Sequence, residues 1–138
     1  MADARDELYE VFDRGHPDDG ASLSDRDREL YRIQFFLLEF EMGSWPANWM
    51  GEWERMDATI AAMRKRGLIE LAVVVQQQRD ILHRGADFYR ELEQTGQSVT
   101  WYEILDRIDP EGGLDALDDL IRELDDYGLP DHWQTHSG

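Results

Sequence analysis

The stretch from Leu30 to Trp53 constrains the fold of this chain more than any other part of the sequence. Apolar side chains recur at helical spacing around almost the whole circumference of its first half, Leu30 to Phe40. A helix that is apolar on nearly every side belongs in the interior of a helical domain. Gly43 then supplies a left-handed terminator for that helix. We therefore predict a central core helix over about residues 25–42.

An aromatic turn follows the predicted core helix and holds three of the five tryptophans in the chain. They are Trp45, Trp49 and Trp53. Two interpretations stay open: the rings pack into the core, which we favour, or they form an exposed recognition patch, since tryptophans anchor many interfaces. Trp101 and Trp133 flank the acidic C-terminal third and are candidates for a dimer interface.

The remaining pattern predicts an all-α fold in a single compact domain of about six or seven helices. With 41% hydrophobic residues, a chain of 138 residues can bury its own core. We divide it into an N-terminal helix and loop (1–21), a helical core (22–128) and a flexible tail (129–138). Besides the core helix, the predicted helices are Ala2–Arg14, Glu52–Arg66, Leu68–His83, Asp87–Gln94, Trp101–Ile108 and Leu114–Tyr127, with Ser22 or Ser24 and Thr100 as caps.

Negative charge is the strongest signal of function. The sequence holds 31 Asp and Glu against 14 Lys and Arg, a net charge of −17. Residues 101–138 carry 11 acids and 2 bases, whereas residues 55–100 carry 6 acids and 7 bases. Direct binding of nucleic acid requires Lys and Arg to meet the phosphates, so this balance argues against it. It favours basic proteins as partners.

The predicted last helix concentrates acids opposite its apolar stripe. Acids at the end of a helix oppose its dipole, and like charges three or four residues apart repel, so stability does not explain the pattern. Acids at positions i and i+4 rise by about 6 Å along a helix, a spacing compatible with DNA phosphates. The candidate partner-binding residues are Asp115, Asp118, Asp119, Glu123, Asp125 and Asp126. A candidate second acidic patch on the first helix comprises Asp6, Glu10 and Asp13.

The acidity can also arise without a basic partner. The acidic helix face can be simply solvated, and a chain with one lysine and many aspartates also matches salt-adapted proteins, in which the charge has no partner. The nearly neutral segment 55–100 counts against salt adaptation, which should acidify the whole surface. A further alternative is an enzyme or small-ligand binder with a pocket near Glu39 and the tryptophans.

No motif indicates catalysis, a metal or a cofactor, and we predict that the chain is not an enzyme. The sequence has no cysteine, which excludes disulfides and thiolate metal sites and fits the cytoplasm. It has no Gly-rich phosphate loop and no HExxH pattern. His132 and His136 are spaced for a metal but fall in the predicted tail. Neither a secretion signal nor a membrane span is expected.

Two segments resemble the helical DNA-mimic protein family, whose shared domain is also catalogued as a domain of unknown function. The first is the helix end and turn over residues 39–45, followed by Asn48 and Trp49; the second is the helix–Gly–helix segment over residues 62–72. The family turn is usually Asn-Gly-Gly-Phe, where this chain has Met-Gly-Ser-Trp at 42–45. The resemblance spans roughly residues 28–127. It implies an all-α, acidic and dimeric protein, of which the best-studied type occupies the DNA-binding face of a transcriptional regulator.

Charge and resemblance together predict an acidic module that occupies a basic, nucleic-acid-binding surface of another protein. Expected partners are a DNA-binding regulator or a nucleoid protein, with no direct contact to nucleic acid or membrane. The main alternative is an immunity protein that neutralises one toxin or nuclease, since nucleases are basic too.

Overall fold

Every regular element in residues 3–133, the part of the chain that this computed structural model describes, is a helix. The all-α prediction is therefore confirmed. Short 3-10 turns lie at His16–Asp18, Ala47–Trp49 and Asp125–Gly128. The α-helices are α1 (Ala4–Gly15), α2 (Asp25–Glu41), α3 (Trp53–Lys65), α4 (Ile69–Gln94), α5 (Trp101–Ile108) and α6 (Gly113–Glu123).

Helix α2 lies at the centre of the fold, as its sequence predicts. Its apolar side chains are buried, with Leu30 and Leu37 fully inaccessible to solvent, and both α1 and α3 pack against it. Ser24 caps the helix by accepting a hydrogen bond from the backbone N–H of Asp27 at 3.2 Å. The helix ends at Glu41, and the chain turns at Gly43 with a φ of +76°.

The aromatic turn packs inward against α2. Trp45 and Trp49 are 6% and 1% exposed, and their ring centroids lie 5.4 Å apart in an edge-to-face arrangement. The Trp45 ring also meets Phe36 edge to face at 5.0 Å. Trp53 begins α3 and is half-buried. Core packing is therefore confirmed for Trp45 and Trp49, whereas the side chain of Trp53 is partly accessible.

Helix α4 is one continuous element of 26 residues, where the sequence suggested two helices with a break before Asp87. Gly85 lies between the two predicted helices, but it is buried inside the continuous helix. A Cβ at this position would lie 2.6 Å from the Trp101 ring and 2.8 Å from Ile108, both on α5. Glycine is thus required here by the close approach of α5, and the helix continues through it.

Helix α6 ends earlier than predicted, at Glu123 rather than Tyr127. Asp109 caps its start, because its two carboxylate oxygens accept hydrogen bonds from the N–H groups of Gly113 and Leu114 at 2.7 and 2.9 Å. The backbone becomes extended at Leu124 and then left-handed at residues 126 and 127.

The segment after the last turn packs against the domain. We expected residues 129–138 to form a flexible tail, but Leu129 packs on the core and Trp133 is only 5% exposed. The carbonyl of Asp131 accepts a hydrogen bond from the N–H of Ala4 at 2.9 Å, which joins this segment to the start of α1. Residues 134–138 lie outside the described part.

Candidate functional site

Three of the predicted partner-binding acids form a row on α6. Asp115, Asp119 and Glu123 follow at four-residue spacing, and all three are exposed. Arg122, the one basic residue of this helix, lays its guanidinium over the Phe40 ring at 4.8 Å from the centroid. The row therefore presents carboxylates to solvent while the cation of the same helix packs against α2.

Asp125 and Asp126 follow this row in the sequence, beyond the end of the helix. Both are exposed and lie in the 3-10 turn rather than on α6, which corrects the prediction that they share its helical face. The turn is held by Tyr127, whose ring meets the Phe40 ring edge to face at 6.3 Å. We call Asp115, Asp119, Glu123, Asp125 and Asp126 the acidic face.

Asp118 is set apart from the acidic face, although the sequence suggested that it belonged there. Its side chain is half-buried and accepts a hydrogen bond from the amide of Gln78. The carbonyl of Gln78 in turn accepts a hydrogen bond from Trp45 Nε1 at 3.0 Å. Burial raises the pKa of Asp118, although the Gln78 hydrogen bond acts in the opposite direction. Asp118 therefore connects α6 to α4 and the aromatic turn.

The predicted second patch is exposed on α1. Asp6, Glu10 and Asp13 are all accessible, and Glu10 accepts a hydrogen bond from Arg14 Nε at 2.7 Å, which offsets part of the charge. The fold brings the start of α1 beside the turn that carries Asp125 and Asp126. There the Arg5 guanidinium lies 5.4 Å from the centroid of the Tyr127 ring and also pairs with Glu41.

Ion pairs divide the acids of the molecule into two groups. Nine acids in residues 3–90 form ion pairs with bases; for example, Asp57 binds Arg79 through two contacts at 3.1 and 3.3 Å. Other acids there, such as Asp6, Asp13 and Glu70, form none. Within residues 3–133, no ion pair involves any residue after Arg90. The acidic face thus carries charge that the chain itself does not neutralise.

Clefts also open on the surface of residues 3–133, and two of them are lined by tryptophans of the aromatic turn. The larger, of about 900 Å³, is an apolar groove between the aromatic turn, α4 and α5, with Trp53, Tyr89 and Trp101 in its walls. The smaller, of about 450 Å³, is a polar cleft between α2 and the start of α3 that includes Arg32 and Arg55. We call the second the arginine cleft.

The sequence suggested a ligand pocket near Glu39, but neither of these two clefts includes that residue. Glu39 accepts a hydrogen bond from the amide of Asn48 at 3.4 Å. Tryptophans do line both clefts, with Trp49 in the arginine cleft. The small-ligand alternative therefore moves from Glu39 to these two clefts.

No protein-family model, curated protein or solved structure matches the chain. Within residues 3–133, no three His, Asp or Glu side chains are grouped so as to hold a metal ion. His132 lies in this part, whereas His136 falls outside it. None of the helices described has both the length and the apolar character needed to cross a bilayer.

Neither the buried role of Gln78 nor the arginine cleft was predicted from the sequence. Gln78 carried a visible signal, since it occupies a position in the apolar stripe Leu71, Val75, Leu82 of α4 and is 1% exposed. A polar residue at such a position needs a buried hydrogen-bond partner. The arginine cleft carried no comparable signal, because it forms only when α2 and α3 pack side by side.

Proposed function

We propose that this chain is an acidic binding protein that occupies a basic surface of another protein through its acidic face. The unneutralised charge of that face carries the proposal, because its carboxylates are exposed and no ion pair within residues 3–133 involves them. Like charges three or four residues apart on a helix cost a few tenths of a kcal/mol per pair, by rough estimate. A partner that supplies cations would remove this repulsion, so binding accounts for an arrangement that folding does not require.

The proposed partner surface is one that binds nucleic acid. Successive acids of the row on α6 rise by about 6 Å, a distance compatible with the phosphates along and across a DNA duplex. Proteins that contact those phosphates present Lys and Arg, and complementary potentials speed their encounter with an acidic surface. A DNA-binding regulator or a nucleoid protein is therefore the proposed partner class, in the cytoplasm.

The resemblance to helical DNA-mimic proteins supports the same partner class. It is also the basis for proposing that the chain acts as a homodimer. Occupation of the partner's nucleic-acid site would make the chain an inhibitor or regulator of that partner, without chemistry of its own.

The test is a capture experiment with the folded chain and a charge-neutralised variant. In the variant, Asp115, Asp119 and Asp126 are replaced by Asn, which keeps side-chain size and suits the left-handed backbone at residue 126. A matched control replaces Glu70, Glu91 and Glu93, exposed acids of α4, by Gln, so that the net charge changes equally. We expect the first variant to lose its basic partner by about tenfold or more at low salt and the control to retain it.

The identity of the captured protein separates the functions. Displacement of the captured protein by duplex DNA, with a regulator or nucleoid protein recovered, supports DNA mimicry. Recovery of a single toxin or nuclease would favour the immunity alternative. Binding that survives neutralisation of the acidic face, or that both variants weaken equally, would contradict the proposal and leave the acidity as a general property of the chain.

A further inference from the structure

The arginine cleft holds two cations that the chain does not pair. Arg32 and Arg55 are half-buried in its wall, and neither guanidinium lies within ion-pair distance of a carboxylate in residues 3–133. Other arginines in this part of the chain, such as Arg107 and Arg122, also form no ion pair, but these two are the ones that line one concave site. Two unpaired guanidinium groups in one concave site mark a position for an anionic group.

Arg55 is held in a defined orientation. Its Cζ lies 4.2 Å from the ring centroids of both Phe35 and Trp49. Stacking occupies the face of a guanidinium and leaves its in-plane N–H donors for a planar acceptor such as a carboxylate. Because the rings fix Arg55 before any ligand binds, little side-chain entropy would be lost on binding.

Residues that line the cleft also carry N–H groups without acceptors. Trp49 is 1% exposed, and its indole N–H is buried with no hydrogen-bond partner within the part of the chain described. The first turn of α3, which contributes Glu54 and Arg55 to the cleft, has no side-chain cap on its N–H groups. Uncapped N–H groups at a helix start attract anions. The two arginines of the wall therefore remain the groups that favour an anionic ligand.

The rim of the cleft has the opposite charge. Asp19, Glu52 and Glu54 line it and are exposed, and Asp19 is fixed by the Tyr31 hydroxyl, which donates to its Oδ1 at 2.9 Å. Burial and this hydrogen bond raise the pKa of Tyr31 to about 12, so the hydroxyl remains a donor at neutral pH. A ligand that carried only negative charge would meet repulsion at the rim, whereas a ligand with an outward ammonium group would be attracted.

We propose that the arginine cleft binds a small zwitterion of the free α-amino acid class, with its carboxylate on Arg32 and Arg55 and its ammonium group toward Glu52 and Glu54. The volume of about 450 Å³ lies in the range of small-molecule sites. The site is separate from the acidic face, so the proposal does not depend on the function proposed above.

The test is a titration of the whole chain with each of the common free L-amino acids, followed by calorimetry and by intrinsic tryptophan fluorescence, since Trp49 lies in the wall. For each amino acid that binds, the matching amine without the carboxylate and the matching acid without the ammonium group are titrated as well. We expect saturable binding of at least one zwitterion and binding weaker by about tenfold or more for both truncated compounds.

Variants locate the site. Arg55→Gln and Arg32→Gln should each weaken binding by about tenfold or more, and Arg55→Lys should weaken it less, because charge is kept while the planar fork is lost. Arg122→Gln is the matched control, since that arginine also stacks on a ring but lies outside the cleft. If Arg55→Gln does not fold, Arg32→Gln still tests the site, because its side chain stacks on no ring within residues 3–133.

Three outcomes would overturn the proposal. They are the absence of binding by any free amino acid, equal binding of a compound that lacks the ammonium group, and binding that survives both Arg32→Gln and Arg55→Gln. A loss of amino-acid binding in these variants while the basic partner is still captured would show that the two sites are independent.

Discussion

At the scale of single residues, Gln78 connects three parts of the fold. Its buried amide accepts a hydrogen bond from Trp45 and donates one to Asp118, so one side chain joins the aromatic turn, α4 and α6. A buried polar group without its partner costs roughly 1–3 kcal/mol. Loss of any one of these three side chains should therefore destabilise the hydrogen bonds of the other two. The acidic face is held in position partly through this contact, because Asp118 lies on the same helix.

Asp118 gives a prediction about pH. Because burial raises its pKa, the folded chain binds this proton more tightly than the unfolded chain, and the stability associated with protonation is lost as pH rises through the folded pKa. Asp118→Asn keeps an acceptor for Gln78 without the buried charge. We expect the variant to exceed the wild type in unfolding free energy at pH 7, by less than about 1 kcal/mol, with the difference vanishing below about pH 4.

Asp118→Ala is the contrasting variant, since it leaves the Gln78 amide without its acceptor. It should lower the unfolding free energy by roughly 1–3 kcal/mol. Urea unfolding between pH 4 and pH 8 measures both effects. A wild-type-to-Asn difference that stays constant across this range would contradict the account of Asp118.

At the scale of elements, the long helix α4 acts as the support for α5 and α6. Both pack against it, α5 by bringing its Trp101 ring onto Gly85 and α6 through Gln78. A glycine inside a helix costs about 1 kcal/mol relative to alanine, so its presence requires a compensating contact. The close approach of α5 supplies that contact.

Gly85→Ala tests this arrangement. Helix propensity alone predicts that alanine raises the unfolding free energy. The added Cβ would lie 2.6 Å from the Trp101 ring, however, so we expect the unfolding free energy to fall by about 1–3 kcal/mol. Arg84→Ala, at the exposed neighbouring position, should be nearly neutral. In a Trp101→Ala background, Gly85→Ala should cost less than it does in the wild type, which a double-mutant cycle measures. An unfolding midpoint that rises in Gly85→Ala would contradict the packing argument.

Some features of the helices could be predicted from the sequence, and others could not. Helix α2 and its Ser24 cap were predictable, because periodicity and capping are local properties of the chain. The Thr100 cap was predictable for the same reason, and the structure adds the reciprocal contact from Glu103. The continuity of α4 through Gly85 was not, because it depends on a ring brought there by α5. The early end of α6 was not predicted either, and beyond it the Tyr127 ring packs on Phe40.

At the scale of the whole molecule, charge is segregated rather than spread. Every ion pair within residues 3–133 joins residues between 5 and 90, whereas the acidic face forms none. In the arginine cleft, Arg32 and Arg55 form no ion pair although three acids also line the cleft. The excess of acid in residues 101–138 was readable from the sequence. Which of those acids face solvent, and that Asp118 does not, required the packing of α6 on α4.

Segregated charge predicts a response to salt. Screening of the repulsion within the acidic face should raise the unfolding free energy of the wild type between about 0.05 and 0.5 M NaCl. Replacement of Asp115, Asp119 and Asp126 by Asn should flatten that rise, whereas the α4 control variant should keep it. Thermal or urea unfolding of the three proteins measures the slopes. Equal slopes in all three, or folding only at molar salt, would instead support general salt adaptation.

The hydrogen bond from Ala4 to Asp131 brings the two ends of the described chain together. Because residues 4 and 131 are in contact, a circular permutant that joins them would keep the same helix neighbours. The exposed loop between α4 and α5 is a suitable place for the new ends of such a permutant. The packing of the helices should therefore not depend on the order in which they follow one another in the chain.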